Sequence, residues 1–443
     1  RFSHFLSKIV NDYADCEEHD PECMSSEEMR AAFEEFNEYN SELREGCEVV
    51  SMDVKALYPS MTWKTIVKAV KEMIQKSELV IDDVDWLEVA KYIAVMVPKE
   101  EIEAEGLGHV IPKRKNMRTR RITINYLRNK KNDDKWTVAR KPGRIQKKKM
   151  LALAISVGIH VAMSSHTYKV GDVYYLQQEG GPIGLELTGA VSRPFMQRWD
   201  RLYLEKLRQV GIEMRLYKRY IDDSNQVAKA PPPGSRYDSN SGQIVTNLNA
   251  ENGPNEQDEA DDKRLAVLLN EIADDIQEEI KMEAEYPSKN RNKKLAILDM
   301  NVWMNTENKI VYQHYEKQVA SKQILSAQSA QSSSCKKSVH VQELVRRILN
   351  TSTHLDWDDS FVPILNDYMV RMRLAGYTEQ YRKSTLLHSL RIYDKMTDDD
   401  QKGIRPLHRP RCWKEEERRI NKRKKKYNWG LYSSDFYPSN PTW

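Results

Sequence analysis

The stretch Arg215–Lys229, RLYKRYIDDSNQVAK, decides how this chain folds. Its two halves read as strands, and Tyr220–Ser224, YIDDS, lies between them, where a tight hairpin turn is expected. Two adjacent aspartates at such a tip repel each other, and neither a cap nor a turn requires both of them. Bound divalent metal ions would relieve that repulsion, although an Asp-Asp pair also occurs in solvated turns. The pair therefore indicates a metal site only if further carboxylates meet it.

A second strand supplies another carboxylate. Cys47–Val54, CEVVSMDV, alternates in the manner of a strand, so that Asp53 ends it on the face opposite its apolar neighbours. The following segment, Ala56–Gln75, predicts one amphipathic helix with Pro59 in its first turn. We expect the strand to deliver Asp53 and the helix to anchor it.

A glycine-rich turn, GGPIG at Gly180–Gly184, precedes a long amphipathic helix, and its glycines allow the backbone to approach a ligand closely. Nucleotidyl transfer uses two Mg²⁺ ions about 3.5 to 4 Å apart, held by hard oxygen ligands that come from more than one strand. Asp53, Asp222 and Asp223 are the candidates for those ligands.

The charge of the chain is strongly biased along its length, although 70 Lys and Arg nearly balance 66 Asp and Glu overall. Lys113–Lys149 contains sixteen basic and two acidic residues, and it reads as a surface for a phosphate backbone or as a solvated face. The basic run Arg418–Lys426 reads equally well as a surface for a phosphate backbone and as a solvated face or localisation signal. The acidic, Pro- and Asn-rich segment Pro231–Asp262 predicts a flexible insertion.

Two composition features limit the location of the protein. No apolar run approaches the roughly 18 to 20 residues of a membrane span, so no membrane contact is expected. Five cysteines without a CxxC pair favour a reducing compartment.

Cys16, His19 and Cys23 offer three zinc ligands with no evident fourth. The chain begins at Arg1 without a Met, and we expect it to be part of a longer polypeptide.

Four motifs, SMDVKALYPS, GGPIGLELT, YIDD and LAILDMNVW, occur in the order of the palm motifs of reverse transcriptases. The Tyr-x-Asp-Asp box is the most specific of them. Within that family the chain most resembles the enzymes of Penelope-like retroelements, which are related to telomerase. The segment from KIVYQHYEKQ to VQELVRRILN resembles their connection from palm to thumb. The resemblance covers roughly residues 45–395.

The resemblance implies an α+β fold: a polymerase right-hand palm, with an antiparallel sheet backed by helices, partial fingers and an α-helical thumb. The boundaries implied are a fingers remnant or N-terminal helical segment at residues 1–46, a palm at 47–310, a thumb at 311–400 and a basic tail or linker at 401–443. Within the palm we expect a basic insertion at about 112–150 and a flexible acidic insertion at about 231–262.

By the same resemblance, Asp53, Asp222 and Asp223 are the catalytic carboxylates. With the carbonyl of Val54 they would bind two Mg²⁺ ions, for which Mn²⁺ could substitute. Tyr58 would be the aromatic gate that excludes a ribose 2′-hydroxyl and so favours deoxynucleotides, although a core tyrosine is an alternative.

Further residues would contact the substrates. Pro182, Ile183 and Gly184 would touch the base pair between template and nucleotide. Lys293 or Lys294 would protonate the departing pyrophosphate. The residues expected to bind nucleic acid are Lys113, Arg114, Arg120, Arg121, Lys147, Lys148, Lys149, Arg346 and Arg347.

The function implied is that of an RNA-directed DNA polymerase, with an RNA template, a DNA primer duplex and dNTPs as partners, a nuclear location, and an endonuclease domain or host factors outside this chain. A family B DNA polymerase is a second interpretation, because LYPS after a motif aspartate occurs there too, but the Asp-Thr-Asp-Ser box of that family is missing. A third is a non-catalytic nucleic-acid-binding derivative of a retroelement. Ile183 and LELTG depart from the usual residues around the glycine turn.

Overall fold

The structure is a computed structural model of the 443-residue chain. It describes residues 2–16, 21–79, 85–112, 141–164, 166–177, 180–246, 260–317, 319 and 321–401. The chain divides into two compact units, and each is described by itself. The first unit is formed mainly by Arg1–Asp20 and Lys55–Leu202, and the second mainly by Pro21–Val54 and Tyr203–Pro410.

The described helices have the following bounds in chain order. They are α1 Phe2–Ala14, α2 Ser26–Asn37, α3 Ser41–Arg44, α4 Leu57–Ser60, α5 Trp63–Lys76, α6 Trp86–Met96, α7 Lys99–Ala104, α8 Arg144–Ser164, α9 Glu186–Gln209, α10 Asp261–Asp274, α11 Ser333–Leu349, α12 Val362–Leu374 and α13 Glu379–Gln401. A 3₁₀ turn covers Pro287–Lys289, and a π turn covers Trp357–Phe361. Among these residues, no helix has both the length and the apolar content to span a bilayer.

The described strands are all paired antiparallel. They are β1 Cys47–Val54, β2 Thr167–Val170, β3 Val173–Leu176, β4 Met214–Tyr220, β5 Asp223–Lys229, β6 Ser235–Asp238, β7 Gln243–Thr246, β8 Met282–Glu285, β9 Leu295–Ile297, β10 Met300–Met304 and β11 Ile310–His314. Helices and antiparallel sheets confirm the predicted α+β class.

A four-stranded sheet in the order β4-β5-β1-β8 forms the centre of the second unit. β4 and β5 form the predicted hairpin, since Tyr220 pairs with Asp223. Val49 in β1 packs into an apolar cluster with α2 and the three-stranded sheet β11-β10-β9, and α10 packs against β1 and β8. This burial explains why β1 is rich in Val and Met, because a strand covered on both faces needs apolar residues in both directions.

Three helices follow the sheets in the second unit. The segments predicted to be thumb helices are helical in the structure as α11, α12 and α13. Leu344 and Ile348 of α11 pack with Leu365 and Tyr368 of α12 and with Tyr377 ahead of α13. Burial of these apolar side chains holds the three helices together.

Among its described residues, the first unit is formed by helices and one hairpin. α8 packs along α5, α6 and α1, and its residues Met150 and Leu153 lie in a cluster with Ile93 and Leu107. Residues 113–140 of the predicted basic insertion lie outside the described residues. The rest of that insertion, residues 141–150, leads into α8 and reaches the core of the unit, so this part is not an added loop.

The helix predicted from Ala56 is interrupted. Ala56 has φ +55° at the start of α4, which ends at Ser60. α5 then begins afresh, because the side chain of Thr62 accepts the N–H of Thr65 at 3.3 Å and caps it.

The acidic segment predicted to be flexible is ordered in part, which corrects that prediction. Strands β6 and β7 form a hairpin within it, and α10 begins at its end. Tyr237 fixes this hairpin to α10, because its N–H donates to Glu271 at 3.1 Å and its hydroxyl donates to Asp275 at 2.5 Å. Residues 247–259 lie outside the described residues, as do residues 402–443 of the predicted basic tail.

Candidate functional site

The turn between β4 and β5 is held in an unusual conformation. Ile221 and Asp222 form the two-residue loop, and Ile221 has φ +58°, which is rare for a β-branched residue. The buried guanidinium of Arg219 donates to the carbonyl of Ile221 at 2.7 Å. Strain of this kind persists only where the surroundings stabilise it, and it is common at functional sites. The turn thus presents Asp222 in a defined position.

Three carboxylates meet beside this turn. Met52 of β1 pairs with Ser224 of β5, so Asp53 at the end of β1 lies next to the start of β5. Carboxylate oxygens of Asp53, Asp222 and Asp223 all lie within 4.8 Å of one another. The strand end and the hairpin tip therefore bring together the residues that the sequence singles out.

The electrostatics of the cluster favour a cation. Burial, then the negative charge of Asp222, raises the pKa of Asp53. Burial, Asp222 and Asp53 raise the pKa of Asp223 to about 6, while the positive charge of Lys317 opposes this shift. Glu283, which pairs with Asp53 across β1 and β8, adds further negative charge. Converging carboxylate oxygens with excess negative charge are the ligands that Mg²⁺ and Mn²⁺ prefer, so this donor set fits such an ion.

A buried polar network lies beneath the carboxylates. Ser224 Oγ donates to the carbonyl of Met52 at 3.2 Å, Gln226 Nε2 donates to Ser224 Oγ at 3.1 Å, and the hydroxyl of Tyr203 donates to Gln226 at 2.9 Å. The first of these bonds ties β5 to β1 through the residues that follow Asp223 and precede Asp53, the second lies within β5, and the third joins α9 to β5. The sequence analysis did not identify them, although the polar run SNQ inside a buried strand was the available signal.

Val54 ends β1 next to Asp53. Its side chain is buried, and the backbone hydrogen bond from Val54 to the Asp53 carboxylate partly offsets the rise in pKa of that group. A carbonyl contact from Val54 to a metal stays a prediction.

In the first unit, the predicted nucleotide-binding residues lie in one region. The carbonyl of Tyr58 accepts the N–H of Gly181 at 2.7 Å. A Cβ on Gly180 would lie 2.8 Å from backbone atoms of Pro59, and Gly180 has φ +77°, so only glycine fits this close approach. The turn is therefore locked onto α4, the helix that carries Tyr58.

The tip of that turn is open. Pro182 is buried, and its carbonyl accepts the Thr188 hydroxyl at 2.8 Å. Ile183 is 84% exposed, and Gly184 is also exposed. Ile183 and Gly184 are thus accessible to a ligand, whereas Pro182 supports them from behind.

The nucleic-acid contacts predicted within residues 113–149 divide into two groups. Lys113, Arg114, Arg120 and Arg121 lie outside the described residues. Lys147, Lys148 and Lys149 each have a partner within the first unit. The ammonium of Lys147 lies 5.4 Å from the ring centroid of Trp86, that of Lys148 donates to the Ser77 carbonyl, and that of Lys149 donates to the Glu105 carbonyl at 2.8 Å. These lysines join α8 to the start of α6 and to the ends of α5 and α7.

Arg347 is not placed for the predicted nucleic-acid contact. Its side chain is 2% exposed and pairs with Glu316, Glu343 and Asp367. A guanidinium that is buried and paired in this way stabilises the helical segment and cannot reach a phosphate without breaking the network. Arg346 is 42% exposed, and it pairs with Asp299 and Glu343.

Asp299 belongs to the motif LAILDMNVW and lies in the turn between β9 and β10. It accepts hydrogen bonds from the Ser26 hydroxyl at 2.6 Å, from Asn350 at 2.7 Å and from Arg346. Burial opposes ionisation, but Ser26 and Arg346 prevail and lower the pKa of Asp299. The carboxylate therefore joins this turn to α2 and α11, a role that the sequence analysis did not predict.

Within the described part of the chain, one other group of potential metal ligands converges. His314, Glu316 and Glu343 converge, but Arg346, Arg347 and Arg371 already pair with the two glutamates. This arrangement fits an ion-pair network. Burial lowers the pKa of the His314 imidazole to about 4, with Arg347 adding to the shift.

The two remaining predictions concern zinc and a general acid. The thiol of Cys23 donates to the Ser25 carbonyl at 3.0 Å, while His19 lies outside the described residues, so zinc binding by Cys16, His19 and Cys23 stays a prediction. The ammonium of Lys294 lies 3.8 Å from the ring centroid of Trp303, and burial lowers its pKa. Lys293 or Lys294 as a proton donor likewise stays a prediction.

No family model and no curated protein match the chain. Among solved structures, the chain is similar to a telomerase from Candida albicans in complex with a TWJ fragment of telomeric RNA, with a TM-score of 0.42 and 12% sequence identity. The similarity covers 88% of this chain and 51% of the telomerase chain. This chain therefore spans about half the length of that protein.

Proposed function

We propose that the protein is a nucleotidyltransferase of the reverse transcriptase type, an RNA-directed DNA polymerase. The observation that carries the proposal is the meeting of Asp53, Asp222 and Asp223 at a strand end and a strained hairpin tip. An excess of clustered carboxylates is unfavourable without cations, and polymerases use such clusters for divalent metals. The finer assignment, a Penelope-like enzyme with a right-hand palm, rests on the order of the four sequence motifs.

The three aspartates would hold Mg²⁺ or Mn²⁺. Such ions, when bound, promote attack by a primer 3′-hydroxyl on the α-phosphate and neutralise charge on the departing pyrophosphate. Asp223 must be ionised to act as a ligand. Because its pKa is about 6, this carboxyl group loses its proton as the pH approaches neutrality. Lys317 favours that ionised form.

Other side chains would select and orient the substrates. Tyr58 would exclude a ribose 2′-hydroxyl, and the exposed Ile183 and Gly184 would contact the base pair between template and dNTP. The close backbone contact between Gly180 and Pro59 would hold α4, which carries Tyr58, at a constant distance from the glycine turn. A DNA primer on an RNA template is the proposed substrate duplex, and nuclear residence and partner domains outside the chain stay predictions.

Primer extension tests this proposal. Wild type should extend a DNA primer on an RNA template only with Mg²⁺ or Mn²⁺, and Asp222→Asn should reduce the rate by at least about a thousandfold because it removes a metal ligand without changing side-chain size. Asp394→Asn, at an exposed position on α13, is the control and should extend normally.

Three outcomes would contradict the proposal. Equal extension by wild type and Asp222→Asn would remove the aspartates from catalysis. Binding of duplex by a wild type that never extends it would favour a non-catalytic nucleic-acid-binding protein. Extension confined to DNA templates would favour a DNA-directed polymerase.

A further inference from the structure

A projecting hairpin in the first unit exposes an unusual number of aromatic residues. It consists of β2, Thr167–Val170, and β3, Val173–Leu176, and is here named the tyrosine hairpin. All residues of both strands are exposed. An isolated two-stranded hairpin is marginally stable in water, and soluble proteins rarely expose contiguous apolar surface without a partner for it. The sequence analysis did not predict this hairpin.

One face of the tyrosine hairpin is entirely apolar or aromatic. Tyr168 pairs with Tyr175, and Val170 pairs with Val173 next to the turn at Gly171. The two tyrosine rings stack with their centroids 5.5 Å apart and an angle of 19° between their planes. Tyr168 remains 52% exposed and Tyr175 46% exposed, so the stacked pair still offers open ring surface.

The other face combines an aromatic ring with a cation. Tyr174 is 72% exposed, and the ammonium of Lys169 lies 5.6 Å from its ring centroid. Flat exposed rings beside a lysine are the features with which proteins bind unpaired bases and the adjoining phosphates. A partner strand added to a hairpin edge would not require three tyrosines.

The position of the hairpin along the chain indicates which nucleic acid it binds. Gln177 closes the hairpin by donating its N–H to the His166 carbonyl at 2.9 Å, and the Gly180–Gly184 turn follows after two residues. That turn is the proposed contact with the template base. On the other side, α8 leads into the hairpin from the basic stretch Lys113–Lys149. The hairpin is thus adjacent in sequence to the proposed template site.

We propose that the tyrosine hairpin is a stacking platform for the unpaired, single-stranded part of the template: one base stacks on the face formed by Tyr168 and Tyr175, and a further base stacks on Tyr174 of the opposite face, with a phosphate near Lys169. This inference rests on the proposed function for the identity of the strand. The stacking itself is independent of catalysis and can be measured without it.

The test is the binding of a short single-stranded RNA to the full chain, followed by fluorescence anisotropy. We expect the double variant Tyr168→Ala/Tyr175→Ala to bind roughly 5- to 100-fold more weakly, in line with stacking contributions measured by alanine substitution. An abasic strand of the same length should bind wild type and the double variant equally, because it offers no rings to stack. Lys169→Gln should reduce the slope of log K for binding against log salt concentration by the equivalent of about one phosphate contact.

A second variant separates stacking from folding. Tyr168→Phe/Tyr175→Phe keeps the rings and should bind RNA as wild type does. Equal binding of RNA by wild type and the alanine variant, or a loss that is the same for the abasic strand, would overturn the proposal. A change from dimer to monomer in the alanine variant, seen by sedimentation, would assign the face to a second copy of the chain and would also overturn it.

Primer extension distinguishes the platform from the catalytic proposal. The alanine variant should lose efficiency on templates with a long unpaired overhang and keep it on templates with a single unpaired nucleotide. If wild type binds RNA as expected but extends no primer, the catalytic proposal fails and the platform stands. If wild type extends and the alanine variant is unaffected on long overhangs, the platform fails and the catalytic proposal stands.

Discussion

Replacing Asp223 with asparagine should stabilise the protein when divalent cations are absent. Asp223 lies close to Asp53 and Asp222, and burial together with these two charges raises its pKa from 3.8 to about 6. A shift of roughly two units corresponds to about 3 kcal/mol, and solvent screening at this half-buried side chain reduces it to about 1.5 kcal/mol. Asp223→Asn removes the charge and should recover that amount.

The pH dependence follows from the direction of the shift. Because the folded state binds the proton more tightly than the unfolded state, the stabilisation from protonation is present below the unfolded pKa of 3.8 and lost as the pH rises through about 6. The free energy of unfolding of Asp223→Asn should therefore exceed that of wild type by the whole of this amount at about pH 8 and by little at about pH 4.

Urea unfolding with a chelator is the assay, repeated in excess Mg²⁺. The metal should stabilise wild type by mass action and the variant much less, so the advantage of the variant should shrink or reverse. Asp394→Asn on α13 is the control and should show neither effect. The reasoning fails if Asp223→Asn is less stable than wild type at about pH 8 with chelator, or if its advantage is unchanged by pH and Mg²⁺.

Four further substitutions have defined expectations. Glu48→Gln should stabilise the chain by about 2 kcal/mol above pH 7 and by little below pH 4.5, because burial, then Asp262, raises the pKa of Glu48 to about 7; thermal unfolding at both pH values measures this. Gly180→Ala should destabilise the protein by about 2–4 kcal/mol, because the added Cβ would clash with the Pro59 backbone. Gly189→Ala should stabilise it by about 0.5–1 kcal/mol, because that position is helical and has open space for a Cβ. Urea unfolding of the two variants measures both effects. Asp299→Asn should cost about 2–3 kcal/mol, because it removes the charge that joins Arg346 to the turn and leaves Arg346 paired with Glu343 alone, and a gain or no change in urea midpoint would contradict that role.

The three aspartates could be found from sequence because each depends on local patterns. Alternation places Asp53 at the end of a strand, and two strand-like runs around a short polar turn place Asp222 and Asp223 at a hairpin tip. Their approach to one another needed more than these patterns. It depends on β1 pairing with β5 and on the bond from Ser224 to the Met52 carbonyl, which joins residues 172 positions apart in the sequence.

The errors share one cause. Arg347 reads as a surface arginine from its helix alone, but its carboxylate partners Glu316 and Asp367 come from other segments, and they allow the charge to be buried. The segment Pro231–Asp262 reads as flexible from composition, yet contacts with α10 order part of it. Periodicity and composition carry no information on partners that are distant in sequence.

The most direct measurement is a titration of Mn²⁺ into the metal-free protein, followed by electron paramagnetic resonance. Wild type should bind Mn²⁺, and Asp53→Asn and Asp222→Asn should each weaken binding by at least about tenfold, because each removes one oxygen ligand from a shared site. Asp394→Asn should bind as wild type does. Equal Mn²⁺ binding by wild type, Asp53→Asn and Asp222→Asn would contradict a metal site formed by the strand end and the hairpin tip.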